Sequence, residues 1–306
     1  MDMRQIGSLS VSVVGVGCNN FGRRIDADAA AAVVNAALDA EINFFDTADV
    51  YGQGQSEEYL ARALGQRRGK VIIATKFRAR MDEQGEGAHP DYIRKAVEAS
   101  LRRLNTDVID LYQLHSPDDS VPIADTLGAL DELVKAGKLR EIGCSNFSAA
   151  QIREAEAASQ AGKTARFVSV QNYYSMLHRE PEAEVLPECE RLGLGLLPYF
   201  PLESGLLTGK IRQGQPIPGG TRLSGAETQS RFINDQRLEV VEKLISFAEG
   251  WGHTLLELAF SWLLARPVVA SVIAGATKPE QIHANAAAVG WRLSDTDLAE
   301  IDTLLG

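Results

Sequence analysis

The stretch at residues 42–52, INFFDTADVYG, decides the fold prediction for this chain. A short, continuous apolar run ends in the carboxylate Asp46, and Tyr51 follows five residues later. Two further apolar runs end in the titratable side chains Lys76 and His115. Continuous rather than alternating apolar runs are typical of parallel strands that are buried on both faces. Because the carboxyl ends of the strands in a parallel barrel meet at one face, these four groups are expected to converge.

Outward from this stretch, short apolar runs alternate with helical segments along the chain. Eight βα units in 306 residues predict an α/β fold, a single (β/α)8 TIM barrel that occupies residues 1–306. A short N-terminal hairpin is expected at residues 3–12, with extra helices after strands seven and eight. Residues 202–231 are too long for a plain connection and indicate a lid or cofactor clamp. The predicted barrel strands are residues 13–17, 43–46, 71–76, 109–115, 142–145, 167–171, 195–199 and 270–274.

The amino-acid composition limits which classes of protein this chain can belong to. The net charge of −10 argues against nucleic acid or an anionic membrane as a main partner, although a phosphorylated cofactor needs only a local cationic or amide-rich nest. The first residues lack the apolar segment of a secretory signal, and no apolar run is long enough to span a bilayer. The three cysteines are widely spaced and match no zinc site, so we expect a cytoplasmic protein without a bound metal.

Each signal also has an ordinary structural explanation. Asp46 could cap a loop, Lys76 could be a surface lysine, and His115 could be a core histidine. Tyr51 could equally be a loop tyrosine. Their joint placement favours a catalytic site, since barrel enzymes carry their chemistry at the carboxyl ends of the strands. The run GVG that ends the first strand invites a dinucleotide-fingerprint interpretation, but Asn20 stands where that fingerprint needs its third glycine, so a Rossmann domain is not expected.

Several motifs together resemble those of the aldo-keto reductase superfamily. DTADVYG at residues 46–52, the strand end at Lys76 and the Leu-His pair that ends at His115 are similar to the catalytic motifs of that family. All of the motifs occur in the order of the family. The other similar stretches are GCSNF at residues 143–147, VQNYY at residues 170–174, and YFPL followed by GLLTGK within residues 199–210.

The resemblance implies an oxidoreductase that reduces aldehydes or ketones with NAD(P)H. Tyr51 would be the general acid that protonates the carbonyl oxygen. A free tyrosine has a pKa of about 10, and a Lys76 ammonium about 4 Å away would stabilise the phenolate by roughly 4 kcal/mol. Asp46 would keep Lys76 charged and oriented, and His115 would position the carbonyl oxygen.

The resemblance also assigns residues to the cofactor. NADPH is preferred, with NADH as the alternative, because Gly275 and Gln281 stand where many family members carry the Lys and Arg that grip the 2′-phosphate. Thr277, Lys278 and the backbone amides at the following helix start can bind a phosphate instead. The implied cofactor residues are Ser145, Asn146 and Gln171 for the carboxamide, Tyr199 for the nicotinamide ring, Leu202, Gly205, Leu207 and Lys210 for the pyrophosphate, and Gly275, Thr277, Lys278, Gln281 and Asn285 for the 2′-phosphate and adenine.

The substrate is expected to be a small carbonyl compound that the sequence does not name. Asn20 and Phe21 follow the first predicted strand and Phe77 follows the third, so these three are expected to line the substrate pocket. Tyr112 and Trp262 lie inside a predicted strand and a predicted helix and are expected in the core. The variable loops of such barrels shape the substrate site, here residues 78–88 and the lid.

Two alternative functions remain open at this point. Some members of the superfamily bind cofactor and serve mainly as partners of other proteins, which implies a nucleotide-sensing regulatory subunit with little turnover. A barrel lyase or aldolase would instead use Lys76 as a Schiff-base nucleophile, without a nicotinamide. The reductase interpretation is preferred because the lyase has no role for an aspartate close before Tyr51. A monomer or a weak homo-oligomer is expected.

Overall fold

Short apolar runs form the parallel strands of the barrel. This computed structural model describes residues 1–81 and 85–306. Almost every barrel-strand residue is buried, because one face of each strand packs on helices and the other fills the barrel interior. The strands are β1 (Met3–Ile6), β2 (Leu9–Ser12), β3 (Val14–Gly17), β4 (Phe44–Asp46), β5 (Ile72–Phe77), β6 (Ile109–Leu114), β7 (Leu139–Ser145), β8 (Phe167–Gln171), β9 (Gly195–Leu196) and β10 (Val272–Gly275).

Helices cover the outside of the barrel, and sequence signals fix where several of them begin. Asp26, Ser148 and Thr254 accept hydrogen bonds from backbone amides of the first turn. Pro90 and Pro181 stand at the first helical position, where proline costs no hydrogen bond. The helices are α1 (Ala27–Asp39), α2 (Gln55–Leu64), α3 (Pro90–Leu104), α4 (Ile123–Lys135), α5 (Ala149–Gly162), α6 (Pro181–Leu192), α7 (Ala226–Phe232), α8 (Asp235–Gly250), α9 (Leu255–Leu264), α10 (Pro279–Ala287) and α11 (Asp295–Leu305).

The parallel sheet curls until its two edges meet. The strand order is β10-β3-β4-β5-β6-β7-β8-β9, with every neighbouring pair parallel. A parallel bridge joins Leu196 in β9 to Val269, which precedes β10 in the chain. The antiparallel hairpin of β1 and β2 buries Ile6 and Leu9 against interior side chains such as Phe44. The hairpin therefore covers the amino-terminal end, and the carboxyl ends remain for a site.

The predicted barrel, its hairpin and its extra helices are confirmed. Most strand bounds differ slightly from those expected, and two strands differ more. Strand seven was expected over residues 195–199, but β9 ends at Leu196. Pro198 explains the early end, because proline has no backbone N–H for the strand ladder. Strand five was expected from residue 142, but β7 begins at Leu139.

The lid, which we define as residues 202–231, is more ordered than its composition predicts. It contains two 3-10 helices, Glu203–Thr208 and Arg222–Ser224, and most of α7. These pieces are too short to produce a readable helical period in the sequence. The predicted loop at residues 78–88 lies partly outside the described residues. Within residues 1–81 and 85–306, no helix has the length and apolar character that crossing a membrane requires.

Candidate active site

A buried ion pair lies at the centre of the site. Lys76, at the end of β5, donates from Nζ to Asp46 Oδ2 at 2.7 Å and to the carbonyl oxygen of Thr47 at 2.8 Å. Asp46, at the end of β4, also accepts through Oδ1 from Gln171 Nε2 at 2.8 Å and from Gln113 Nε2 at 3.3 Å. Charge-assisted bonds thus fix both members of the pair, and the donors to Asp46 come from β5, β6 and β8.

The ion pair sets the electrostatics around Tyr51. The Lys76 ammonium lies 5.3 Å from the centroid of the Tyr51 ring. Burial lowers the pKa of Lys76, but Asp46 and then Tyr51 raise it by more, so the net shift is upward. Burial raises the pKa of the Tyr51 phenol, and the Lys76 ammonium opposes that rise. Tyr51 is therefore protonated at neutral pH, and a fixed cation lies beside its ring, where it favours the phenolate form.

His115 completes the group as a neutral ring. Its ring lies 5.9 Å from that of Tyr51 in an edge-on arrangement of 79°. Burial, the Lys76 ammonium and Arg78 lower the pKa of His115 to about 3. The imidazole therefore stays uncharged at neutral pH, where it can hydrogen-bond an oxygen but cannot act as a strong acid. We name Asp46, Tyr51, Lys76 and His115, the four side chains expected from the sequence to carry the chemistry, the catalytic floor.

The groups assigned to the nicotinamide lie beside the catalytic floor and bond to it. Asn146 donates from Nδ2 to the carbonyl oxygen of His115 at 2.9 Å and accepts from Tyr199 Oη at 2.7 Å. Ser145 Oγ donates to the carbonyl oxygen of Gln171 at 2.7 Å. Because the Gln171 side chain also contacts Asp46, an amide held here would lie within one connected hydrogen-bond network.

One cavity of about 730 Å³ joins these groups to the lid and to β10. Lys76 lies behind the wall, fully buried, while the other three floor residues face the cavity. Asn20 lines it as well, where its Nδ2 donates to the carbonyl oxygen of Ala276 at 3.1 Å. The lining cofactor candidates are Ser145, Asn146, Gln171, Tyr199, Leu202, Gly205, Lys210, Gly275, Thr277, Lys278 and Gln281.

Besides Lys76, four of the residues expected in the site do not face this cavity. Phe21 and Phe77 are fully buried, and Phe77 stacks on Tyr112 with ring centroids 4.7 Å apart. Their expected place in the substrate pocket is corrected, because their side chains point into the core instead. Leu207 is also fully buried, and Asn285 is 5% exposed. The expected core positions of Tyr112 and Trp262 are confirmed.

Three arginines that the sequence analysis did not identify as site residues line the cavity. Arg23 and Arg24 follow β3, and Arg222 in the lid donates to Asn19 Oδ1 at 3.3 Å and to Asn20 Oδ1 at 3.0 Å. Burial lowers the pKa of the Arg222 guanidinium, and Arg24 and Arg23 add repulsion. The arginine pair after the first strand was a readable signal, whereas the position of Arg222 depends on how the lid folds.

The cavity lining is strongly cationic in a chain that is acidic overall. Besides the three arginines it includes Lys210 and Lys278, and Asp46 is the sole acidic side chain among the described lining residues. Asp46 is already neutralised by Lys76. Among the described lining residues, no acidic side chain other than Asp46 balances these five positive charges, which favours a ligand with several phosphates.

One buried carboxyl beside the catalytic floor is unusual. Asp49 is 1% exposed, and neither of its carboxyl oxygens has a hydrogen-bond partner in the described structure. Burial, followed by repulsion from Glu57, raises the pKa of Asp49 to about 7. Among the described residues there is no cluster of three or more His, Cys, Asp or Glu side chains that could hold a metal ion.

Comparison with known proteins extends over nearly the whole chain. A family model described as Aldo/keto reductase family matches residues 13–305. The "Probable voltage-gated potassium channel subunit beta" of Arabidopsis thaliana is 35% identical over 300 residues, covering 94% of this chain and 91% of that protein. The "Probable aldo-keto reductase 1" of Glycine max is also 35% identical, covering 95% and 84%.

A solved structure has the same architecture. The glycerol dehydrogenase AKR11B4 from Gluconobacter oxydans is similar with a TM-score of 0.86 and 32% sequence identity, covering 99% of this chain and 95% of that one. The similarity therefore includes the lid and the barrel strands as well as the short motifs.

Proposed function

This chain belongs to the aldo/keto reductase family, and we propose that it reduces the carbonyl group of a small aldehyde or ketone, with NADPH as the cofactor and Tyr51 as the general acid. Members of this family are oxidoreductases that use nicotinamide cofactors. The observation that carries the proposal is the Lys76–Asp46 pair at 2.7 Å, buried directly beside the Tyr51 ring. A fixed ammonium next to a phenol stabilises the phenolate, which is the charge state that proton donation leaves behind.

The cavity fits an extended, multiply charged dinucleotide. Its volume of about 730 Å³ falls in the range of ligand sites and extends from Tyr199 to Lys278. Ser145, Asn146 and Gln171 would hold the carboxamide. The five cations of the lining would hold the pyrophosphate and a third, 2′-phosphate group, which supports NADPH over NADH. A bound nicotinamide would supply the hydride for the carbonyl carbon.

In this proposal, side chains of the protein itself donate the proton and stabilise the charge that remains. Tyr51 donates its phenolic proton to the carbonyl oxygen, and the Lys76 ammonium stabilises the phenolate that remains. Asp46 keeps Lys76 protonated through the 2.7 Å bond. His115, neutral because its pKa lies at about 3, orients the carbonyl oxygen without competing as the acid.

A fluorescence titration with NADPH and NADH, combined with cofactor oxidation on a panel of small aldehydes and ketones, tests the proposal. Tight NADPH binding with turnover on at least one carbonyl is the expected result. If the purified chain binds neither nucleotide, the assignment of both cofactor and reaction is wrong. A second titration at high salt should weaken NADPH binding, because the five cations act through charge.

A second candidate function is a nicotinamide-sensing regulatory subunit with little turnover. It is favoured by the 35% identity to the Arabidopsis thaliana protein named as a potassium channel β subunit. The intact catalytic floor supports the reductase instead, since sensing alone needs no general acid. Tight nucleotide binding without oxidation on any carbonyl of the panel would favour the regulatory subunit.

We also propose that residues 1–306 act as one catalytic domain in a reducing compartment such as the cytoplasm. Cys18, Cys144 and Cys189 are all free and buried. Burial raises the pKa of each of these thiols, so they are poor nucleophiles and resist oxidation.

A further inference from the structure

A fully buried carboxylate lies at the root of the lid. Glu203, the first residue of the lid's first 3-10 helix, is 0% exposed. It accepts from Tyr173 Oη at 2.7 Å and from Arg237 Nη1 at 2.9 Å, and also from Ser175 Oγ. A buried carboxylate with a cation and two hydroxyl donors is fully compensated, so it can hold its neighbours in one arrangement.

The partners of Glu203 come from separate parts of the fold. Tyr173 and Ser175 follow β8, whereas Arg237 belongs to α8. Arg237 extends the connection, because its Nη2 donates to the carbonyl oxygen of Leu177 at 3.1 Å. The carboxylate therefore ties the start of the lid to the β8 loop and to the helix that follows the lid.

Tyr173 connects the Glu203 cluster to Tyr199, whose ring is assigned to the nicotinamide. Its ring stacks on Tyr199 with centroids 5.6 Å apart and planes 20° apart. The ring of His178 also stacks on Tyr173 at 3.7 Å and 6°. Tyr199 is in turn fixed by its bond to Asn146 at 2.7 Å. A fixed Tyr173 is thus part of what keeps the Tyr199 ring in one orientation.

The backbone around Glu203 is strained as well. Phe200, Glu203 and Ser204 have φ angles of 52°, 48° and 56°, and Gly205 continues at 109°. Residues other than glycine adopt such angles only where surrounding contacts impose them. Ser204 and Gly205 line the cavity, so the strained turn forms part of the proposed pyrophosphate site.

We propose that Glu203 is a positioning residue that sets the cofactor site at two points at once. Through Tyr173 it holds the aromatic support of Tyr199, and through its own backbone it holds the turn at Ser204. Loss of the carboxylate frees both, so the dinucleotide binds more weakly and its reactive end is less well oriented. This inference rests on the proposed function.

The chain contains a matched control for this carboxylate. Glu182 accepts from Tyr174 Oη at 2.7 Å and pairs with Arg179 at 2.7 Å, with Arg266 at 3.6 Å. The same chemistry of tyrosine hydroxyl, carboxylate and arginine is therefore present on α6, where it does not line the cavity. Changes at Glu182 report the loss of such a cluster without a cofactor effect.

The test compares Glu203→Gln with Glu182→Gln, and Tyr173→Phe with Tyr174→Phe. We expect Glu203→Gln and Tyr173→Phe to raise the Kd for NADPH roughly tenfold and to lower kcat. Both control variants should keep the wild-type Kd and kcat. All four should lose thermal stability, which separates a positioning effect from a purely structural one.

The outcomes distinguish this inference from the proposed function. If the wild type binds nucleotide and the Glu203 and Glu182 variants have equal Kd and kcat, the positioning role is wrong and the reductase assignment stands. If the wild type binds no nucleotide, both fail. Should Glu203→Gln not fold, Tyr173→Phe carries the test, because it removes a single hydroxyl and keeps the Glu203–Arg237 ion pair.

Discussion

The catalytic floor and the lid line one cavity, yet they are held in different ways. Lys76 is fully buried, and its two bonds are 2.7 and 2.8 Å long. In the lid, Arg222 contacts its partners at 3.0 and 3.3 Å, and residues 213–216 and 218–220 are exposed. Segments with few buried contacts open at lower free energy than core strands. The floor is therefore the rigid part of the site, and the mostly exposed middle of the lid, residues 213–220, is the part that can open. The start of the lid is held by Glu203.

The floor and the lid therefore serve different steps of the proposed reaction, proton transfer and cofactor exchange. Proton transfer needs groups that stay within hydrogen-bond geometry, which strand ends provide. Cofactor exchange needs a cover that can move, since lid opening and product release limit many enzymes. Substitutions in the floor should consequently change turnover at constant cofactor affinity. Substitutions of lid residues beyond the Glu203 cluster, such as Arg222, should do the reverse.

Tyr51→Phe tests the floor and has the largest expected effect. The variant loses the proton donor, so kcat should fall by about 10²- to 10⁴-fold. The Kd for NADPH should stay near the wild-type value, because the lost hydroxyl serves the proton. Stopped-flow cofactor oxidation measures kcat, and fluorescence titration measures the Kd.

Tyr112→Phe is the control for this prediction, since that buried hydroxyl has no hydrogen-bond partner in the described structure. Unchanged kcat in Tyr51→Phe would remove Tyr51 as the acid.

Asp49→Asn tests how strongly the surroundings of the floor are desolvated. The pKa of Asp49 is raised to about 7, so the folded state keeps a proton that the unfolded state releases above its ordinary pKa of 3.8. The stabilisation is complete below pH 4 and is lost as the pH rises through about 7. We expect the free energy of unfolding of the wild type to lose up to about 4 kcal/mol, relative to Asp49→Asn, between pH 4 and pH 8.

Urea unfolding of both proteins across that pH range measures the difference. His115 contributes the opposite slope, because its folded pKa of about 3 makes its stabilisation fall as the pH drops below 6.5. That slope is common to wild type and variant and cancels in the comparison. A difference between the wild type and Asp49→Asn that stays flat across the pH range would mean that Asp49 titrates normally.

The sequence could predict the floor because the barrel topology alone brings strand ends together. Asp46 ends β4, Lys76 is the last residue but one of β5, and His115 directly follows β6, so their convergence requires only the strand order. Arg222 could not be found in this way, because its partners Asn19 and Asn20 lie 203 and 202 residues away in the sequence. Its position depends on how the lid packs, which leaves no periodic trace.

The errors of the sequence analysis have two origins. Phe77 ends β5 at the active face, but side chains alternate along a strand, so the residue after the inward-pointing Lys76 faces the opposite side, where its ring stacks on Tyr112. The strand alternation could therefore have excluded Phe77 from the pocket. The helix α7 has only seven residues, too few for a hydrophobic period to be recognised, and its place depends on how the lid packs.

Arg222→Ala tests the lid with a smaller effect. Loss of one guanidinium from the cationic lining should raise the Kd for NADPH about tenfold, while kcat at saturating cofactor stays within about twofold. Arg212→Ala is the matched control in the same segment, because that guanidinium is paired with Glu242 at 2.8 Å and does not line the cavity. A fall in kcat without a change in Kd would place Arg222 with the floor and break the division proposed above.

Lys278→Ala tests which phosphate the far end of the cavity recognises, with the smallest expected effect. Lys278 is exposed at the start of α10, where its charge adds to the backbone amides of the helix end. Because exposed charges are screened, we expect the Kd for NADPH to rise only about two- to fivefold and the Kd for NADH to stay unchanged.

Lys95→Ala is the control, because it removes another exposed charge, from α3, and should affect neither Kd. Titration of both cofactors at low and high salt separates the cases. Equal weakening of NADPH and NADH would remove Lys278 from the 2′-phosphate site and leave its discrimination to Arg23, Arg24 and the lid.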